Sequence, residues 1–533
     1  MSPRQEFAKN EWKLEKDNIS MHLIRSVATI SLFTMGSRVF GFFRSMLMAI
    51  LVGAGAMSDA LVIAIKIPSV MRRIFGEGAF NSAFVPIFAG MLAKEGPEKA
   101  RNYAEQIFSL LIIVLSIFVV LSEIFMPFVI KILLPGFSKT PERLQYTIDF
   151  ARITFPFLLF ISICALFSGV LNSLERFAYA ASSPMFGNIS IIATVFAVKS
   201  FTANNGEAFS IGIAVCGVVQ ALWVMIPAWK HGYAMKIKRP KMTEDVKKFF
   251  KLLLPVVIGG GVVQINMFLD IIVGSFLSEG GISYLEYADR LNQLPLSTVG
   301  VAMGTALLPM LSKQVRVKDY TTAYKTQNLA LEYALALAVP SALGLFVLAE
   351  PIAQVVYLHG KLLPKDVLQI SYTLMAFSTG LPAYIMIKIF TNIFFARENT
   401  KTPVKIAVAA MLLNLALNLI LIRFYQHIGL AAATAIAAWV NAFLLYVFMQ
   451  RGKMMPISER FVMFLPKLAF ASLVCFGTIY SLRNLLWEQA QGARFHEIIA
   501  LTIMVGAGVI SYASACYILG IIKKSDFNIL KRK

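Results

Sequence analysis

Residues 107–134 read IFSLLIIVLSIFVVLSEIFMPFVIKILL, a run in which only Glu123 and Lys131 carry charge. As a helix, at 1.5 Å per residue, a segment of this length reaches about 40 Å, enough to cross the roughly 30 Å hydrocarbon core of a bilayer. Its apolar residues show no two-residue alternation, which selects helix over strand. Hydrocarbon offers no water to the backbone, and a helix pairs its amides within one segment.

The same reading repeats along the chain. Spans are expected near 24–52, 59–90, 104–134, 146–173, 182–200, 208–229, 250–278, 283–311, 325–357, 367–395, 402–423, 428–450, 461–482 and 497–521. The expected fold is an all-α membrane protein of about fourteen transmembrane helices. Composition agrees: 58% of the 533 residues are hydrophobic and 15% charged, against roughly 45–50% and about 25% in soluble domains. The net charge of +21 would point to nucleic acid in a soluble protein. Here most basic residues fall in short loops, where they set orientation and meet anionic headgroups, so no nucleic-acid partner is expected.

With residues 1–23 placed inside and the spans alternating, inside segments hold 32 lysines and arginines and outside segments 8. The eight are Lys139, Arg143, Lys199, Lys361, Lys365, Arg423, Arg483 and Arg494. That bias predicts an N-in, C-in topology. Residues 1–19 are polar and carry no cleavable-signal pattern, so the first span is read as retained.

An internal repeat is visible. Asn172-Ser-Leu-Glu-Arg176 precedes Pro184, and Asn392-Ile-Phe-Phe-Ala-Arg397 precedes Pro403, about 220 residues and six spans later. Six is even, so the copies run the same way, a parallel repeat with the substrate site expected between two six-helix lobes. The expected organisation is 1–23 as a cytoplasmic segment, 24–229 as a first lobe, 230–249 as a basic cytoplasmic linker, 250–450 as a second lobe, and 451–533 as two further helices with the C-terminus.

Charges inside spans are the informative residues, because each costs about 2.5–3.5 kcal/mol to insert near the bilayer centre. The first span carries Arg38 and Arg44, with Ser37, Gly41, Arg44 and Ser45 on one helix face, which reads as a cavity lining. The second carries Asp59, Lys66, Arg72 and Arg73, the seventh Asp270, and the eighth Glu286, Asp289 and Arg290. Internal ion pairs such as Asp59 with Lys66 account for part of this set. The arginines exceed it, and guanidinium grips phosphate oxygens at two points, so a polyanionic ligand is expected. No phosphate-binding glycine loop, zinc spacing or serine–histidine pairing is present, which argues against an enzyme. Cys164, Cys216, Cys475 and Cys516 sit singly in apolar runs and read as core.

Several of these motifs resemble one family. Gly36-Ser-Arg-Val-Phe-Gly-Phe-Phe-Arg44, Ser58-Asp-Ala60, Lys66-Ile-Pro68, the stretch Arg72 to Pro86, Tyr287-Ala-Asp-Arg-Leu291 with Leu294-Pro295, Gly300 to Thr305 and Lys401-Thr-Pro-Val-Lys405 are similar to the MviN-like lipid II flippases of the multidrug/oligosaccharidyl-lipid/polysaccharide exporter superfamily. The similarity runs from about residue 22 to 522. It implies transport of undecaprenyl-diphosphate-linked disaccharide pentapeptide across the bacterial inner membrane for cell-wall synthesis. It further implies a hydrophobic groove on the last two helices, membrane lipids around the chain, and cell-wall synthesis proteins as partners. The positions matching required family residues are Arg38, Arg44, Arg72 and Arg290, with the acid Asp59, while Glu77 matches an acid near the cavity. With Ser37, Arg73 and Asp289 these form the expected substrate-contacting set. One departure is Ser45, where relatives often carry an acid. The resemblance also implies a sodium site at Asp270, Asn414, Asn418 and Thr434, with Asn418 in place of an acid; no other cofactor is expected. Three rival readings are a flippase for another polyprenyl-diphosphate glycan, a cation or drug antiporter, and a non-transporting scaffold. The antiporter would need acids where this chain places arginines.

Overall fold

A computed structural model describes residues 29–75 and 79–521, the side chains of 74–75, 79, 258–263 and 298–306 excepted. Glu77 lies outside the described residues, as do Gly76 and Gly78. Among the described residues, helix fills the expected spans, with breaks such as those at Phe125 within 104–134 and at Leu348 within 325–357. The elements are α1 (Thr29–Val52), α2 (Ala56–Phe75), α3 (Ala79–Lys94), α4 (Pro97–Ile124), α5 (Met126–Leu133), α6 (Pro141–Thr154), α7 (Phe157–Ser173), α8 (Phe177–Val198), α9 (Asn205–Lys230) and α10 (Glu244–Gly274). They continue as α11 (Gly281–Arg316), α12 (Tyr320–Val347), α13 (Ala349–Tyr357), α14 (Pro364–Thr379), α15 (Leu381–Phe395), α16 (Lys401–Arg451), α17 (Glu459–Leu482), α18 (Glu488–Ala490) and α19 (Arg494–Ile518). Among the described residues, ten helical stretches are long and apolar enough to cross a membrane. One of them, α16, spans two expected segments. It breaks at Gln426 (φ 50°, ψ −130°). A Cβ on Gly429 would sit 2.6 Å from the carbonyl oxygen of Leu421. Eight residues of straight helix would separate those positions by about 12 Å, so the chain turns back here.

Local chemistry explains the helix ends. Asn204 caps α9 by accepting from the Glu207 N–H at 2.9 Å, and the Glu207 carboxylate accepts in return from the Ala203 N–H. Asp319 caps α12, and Ser458 caps α17. Each side-chain oxygen satisfies an N–H that has no helical partner. In α2 the acid Asp59 lies in the first turn and Arg72 and Arg73 in the last, the arrangement that the helix dipole favours.

The chain forms two compact units. Among the described residues, the first contains those from 29 to 52 and from 56 to 275, the second 53–55 and 276–521. In the first, α7, α8 and α9 pack together, α2 lies on α6, and α10 lies on α3 and α2. Phe80, Phe84 and Phe88, one helical turn apart on α3, stack on each other, and Phe84 also stacks on Tyr103 of α4. In the second unit, α11, α12, α15 and α17 enclose a core that includes Leu311, Ala334, Ile385, Ile389 and Met449.

The repeat is written into the turns. Left-handed residues recur as Gly96 and Lys318 (222 apart), Glu175 and Glu398 (223 apart), and Gly232 and Lys453 (221 apart). The last two pairs close their helices alike. Arg176 donates its backbone N–H to Leu171 and Asn399 to Phe394; Tyr233 donates to Ala228 and Met454 to Met449. These are six-residue Schellman closures, and their spacing matches the repeat expected from Asn172 and Asn392.

Candidate functional site

The arginines of the first unit differ in setting. Arg38 is exposed on α1, while Arg44, two turns on, is half-buried. Arg72, in the last turn of α2, is half-buried as well, and the exposed Arg73 donates to the Met267 sulfur on α10 at 3.3 Å. Arg44 and Arg72 thus place half-buried cations on α1 and in the last turn of α2. Lys66 of α2 interacts electrostatically with Asp270 of α10, which also accepts from Asn266 at 3.2 Å.

Asp59 is fully buried, and it pairs with Arg143 at 2.8 Å, itself 2% exposed. The Arg143 guanidinium also lies 4.0 Å from the centroid of the Phe137 ring. Arg143, expected in the segment before a span, lies within a helix. Helix α6 starts at Pro141, so Arg143 falls in its first turn and is drawn into the packed layer against α2. A second bond, from the Thr154 hydroxyl to the Ala64 carbonyl at 2.8 Å, holds the same two helices. Nothing in the sequence near Arg143 signals this, because the pairing depends on tertiary packing.

The small-residue face of α1 is a packing face. Asn188 of α8 donates to the Ser37 carbonyl at 3.2 Å, a Cβ on Gly36 would lie 2.9 Å from the Met185 sulfur, and Ser45 is buried. Small residues let helices approach closely in a membrane. Ser37 and Gly41 thus meet α8, while Arg38 on the flank is exposed.

In the second unit Arg290 is held by Glu286: its Nε and Nη2 donate to one carboxylate oxygen at 2.9 and 2.7 Å. Asp289 accepts from Gln293. The turn of α11 that carries them is fixed by buried Tyr287, whose hydroxyl donates to the Gly53 carbonyl at 2.8 Å while its own carbonyl accepts from Tyr357. The α11 arginine thus sits beside two acids on its own helix, whereas the last turn of α2 places Arg72 and Arg73 side by side.

Of the four expected sodium ligands, three cluster in the second unit. Asn418 donates to the Asn414 oxygen at 3.1 Å, Asn414 to Thr434 at 3.5 Å, and Thr434 to the Leu430 carbonyl at 2.9 Å. The side-chain oxygen of Asn418 is buried and accepts no hydrogen bond among the described residues. The cluster offers neutral oxygens, one of them unsatisfied, a donor set that fits a hard monovalent cation. Asp270 belongs to the first unit.

Helical fold, internal repeat and the arginines on its helices are those of a polytopic membrane transporter. The architecture is shared with a multidrug resistance MATE family transporter of the MOP superfamily in its inward-facing conformation, at TM-score 0.66 and 13% identity over 80% of this chain and 98% of that one. A closer likeness is to a structure described as lipid II flippase MurJ in an inward closed conformation, at TM-score 0.77 and 29% identity, covering 92% of this chain and 99% of the other. The family model described as lipid II flippase MurJ matches residues 48–499. The probable lipid II flippase MurJ of Rhizobium meliloti is 36% identical over 506 residues, 93% of either chain. That of Vibrio cholerae serotype O1 is 32% identical over 517 residues, 94% of this chain and 97% of the relative. The chain belongs to the MurJ lipid II flippase family.

Proposed function

We propose that this chain moves lipid II from the cytoplasmic to the periplasmic leaflet of the bacterial inner membrane by alternating access, with both termini cytoplasmic. The observation that carries the reading is the set of guanidinium groups Arg38, Arg44 and Arg72 on helices α1 and α2. Groups so costly to insert are kept for a purpose, and a diphosphate is the part of lipid II that matches them in charge and geometry. The undecaprenyl tail stays in hydrocarbon while the head group crosses. Arg290, oriented by Glu286, contributes from α11. Asp59 acts through Arg143, holding α2 on α6.

Expression of this chain in a bacterium depleted of its own MurJ is expected to restore growth and cell shape. Lysis despite normal membrane levels of the chain would oppose the reading.

Sodium is the ion this reading assigns to Asn414, Asn418 and Thr434. An ion gradient would supply the work of transfer: one charge through 100 mV is worth about 2.3 kcal/mol. Replacing sodium by potassium in a transport assay is expected to slow lipid II transfer. Equal rates in the two salts would remove the ion from the mechanism.

A further inference from the structure

The segment joining α9 to α10 is a fixed strap. Residues 233–243 carry no helix and lie along α4. The backbone N–H groups of Lys236, Lys238 and Lys241 donate to Glu105 at 3.4 Å, Ser109 at 2.8 Å and Gln106 at 2.8 Å. The ammonium of Lys238 pairs with Glu105, which is buried, and donates to Asn102. At one end the buried Tyr233 packs edge-on against Phe88, and just past the other end Phe249 packs edge-on against Phe80. A polar segment with backbone bonds of this kind is held in place, not free in solvent.

The repeat supplies an internal control. After α16 the second unit folds back in the same way: the Ser458 N–H donates to the Asn328 side-chain oxygen at 3.3 Å, Asn328 donates to the Pro456 carbonyl at 3.1 Å, and Tyr324 donates to the Lys453 carbonyl at 3.2 Å. Between α16 and α17 that copy carries a single cation, Lys453. The fold-back itself therefore needs few charges. The first copy carries Lys236, Lys238, Arg239 and Lys241, followed by Lys247, Lys248 and Lys251 on α10. Of the four on the strap, only Lys238 uses its charged group to hold the segment. Lys236, Arg239 and Lys241 are exposed, and their side chains make no ion pair or hydrogen bond among the described residues. Interleaved with them, Ile237 and Met242 are 65% and 61% exposed.

We propose that residues 233–243 form a docking surface for anionic phospholipid headgroups of the leaflet they face. Clustered cations next to a spanning helix attract acidic lipid. The bare Ile237 and Met242 complete the match, because apolar side chains among cations suit the boundary between headgroups and acyl chains. A soluble acidic partner would satisfy the cations and leave those two side chains in water. The proposal stands independently of lipid II transport.

The test is titration of the purified full-length protein with dioleoylphosphatidylglycerol and, separately, dioleoylphosphatidylcholine, counting bound lipids by native mass spectrometry at low and moderate salt. The triple variant Lys236→Gln, Arg239→Gln, Lys241→Gln is expected to lose up to about a hundredfold in phosphatidylglycerol affinity, on the basis that each cation near a charged surface contributes about fivefold. Phosphatidylcholine binding should be unchanged, and the difference should shrink with salt. A control variant that neutralises Lys313, Arg316 and Lys318 should retain phosphatidylglycerol binding. Equal affinity in wild type and strap variant, or equal loss in strap and control variants, overturns the proposal. Preserved thermal unfolding in both variants shows that the comparison concerns the surface and not the fold.

Discussion

Replacing Arg72 by alanine is expected to lower lipid II transfer by about ten- to a hundredfold, with membrane levels unchanged. A hydrogen bond to a charged group is worth about 1.5–3 kcal/mol, and every 1.4 kcal/mol is a factor of ten. Arg72 is half-buried in the last turn of α2. Its loss therefore removes positive potential from a region of low dielectric, where charge counts most. Arg72→Lys should recover part of the rate, because the charge returns without the two-point geometry. In the second unit the expectation differs. Arg290→Ala removes the cation that Glu286 holds on α11 and should slow transfer, whereas Glu286→Gln releases the guanidinium and should preserve transfer. The measurement is the rate at which fluorescent lipid II changes leaflet in reconstituted vesicles. Wild-type rates in Arg72→Ala would remove the arginine from the mechanism.

The second large effect concerns stability. Asp59 and Arg143 are 0% and 2% exposed and 2.8 Å apart. Removing one partner of such a pair leaves a buried charge and costs about 3–5 kcal/mol, while replacing both by neutral groups is often close to neutral. Asp59→Asn and Arg143→Gln are each expected to lower the unfolding temperature markedly, and the double variant to recover most of that loss. Thermal unfolding of the purified proteins in one detergent reads the double-mutant cycle, with an expected coupling of at least about 3 kcal/mol, the size of one single loss. Additive losses would show that the two side chains do not act as a pair. Transport in the double variant separates roles: recovered transfer assigns Asp59 to holding α2 on α6, and a stable but inactive double variant assigns it a direct part in transport.

Much of this protein is legible in its residues alone. Runs such as 107–134 declare helix because hydrocarbon leaves the backbone no alternative, although here the helix breaks at Phe125. The basic-loop bias predicts an orientation, and Asn172 and Asn392 point to a repeat that the left-handed turns at Glu175 and Glu398 bear out. What stays hidden depends on packing. Ser37 and Gly41 read as a cavity lining because small polar residues serve both cavities and close helix contacts, and α8 decides for contact. Arg143 reads as a loop cation because its first-turn position in α6 and its partner on α2 are not local properties. The segment after α9 reads as a basic linker because its restraints are side chains of α4, some 130 residues earlier. Sequence identifies which charges are costly; the fold shows which of them are already satisfied.

The most direct test of the central claim is leaflet transfer by the unmodified chain. Purified protein is reconstituted with labelled lipid II, and an enzyme that modifies only outward-facing head groups reports the leaflet over time. Transfer well above that of protein-free vesicles, and lost when Arg38 and Arg72 are replaced together, is the predicted result. Transfer no faster than in protein-free vesicles, with the protein folded and lipid II bound, would contradict it.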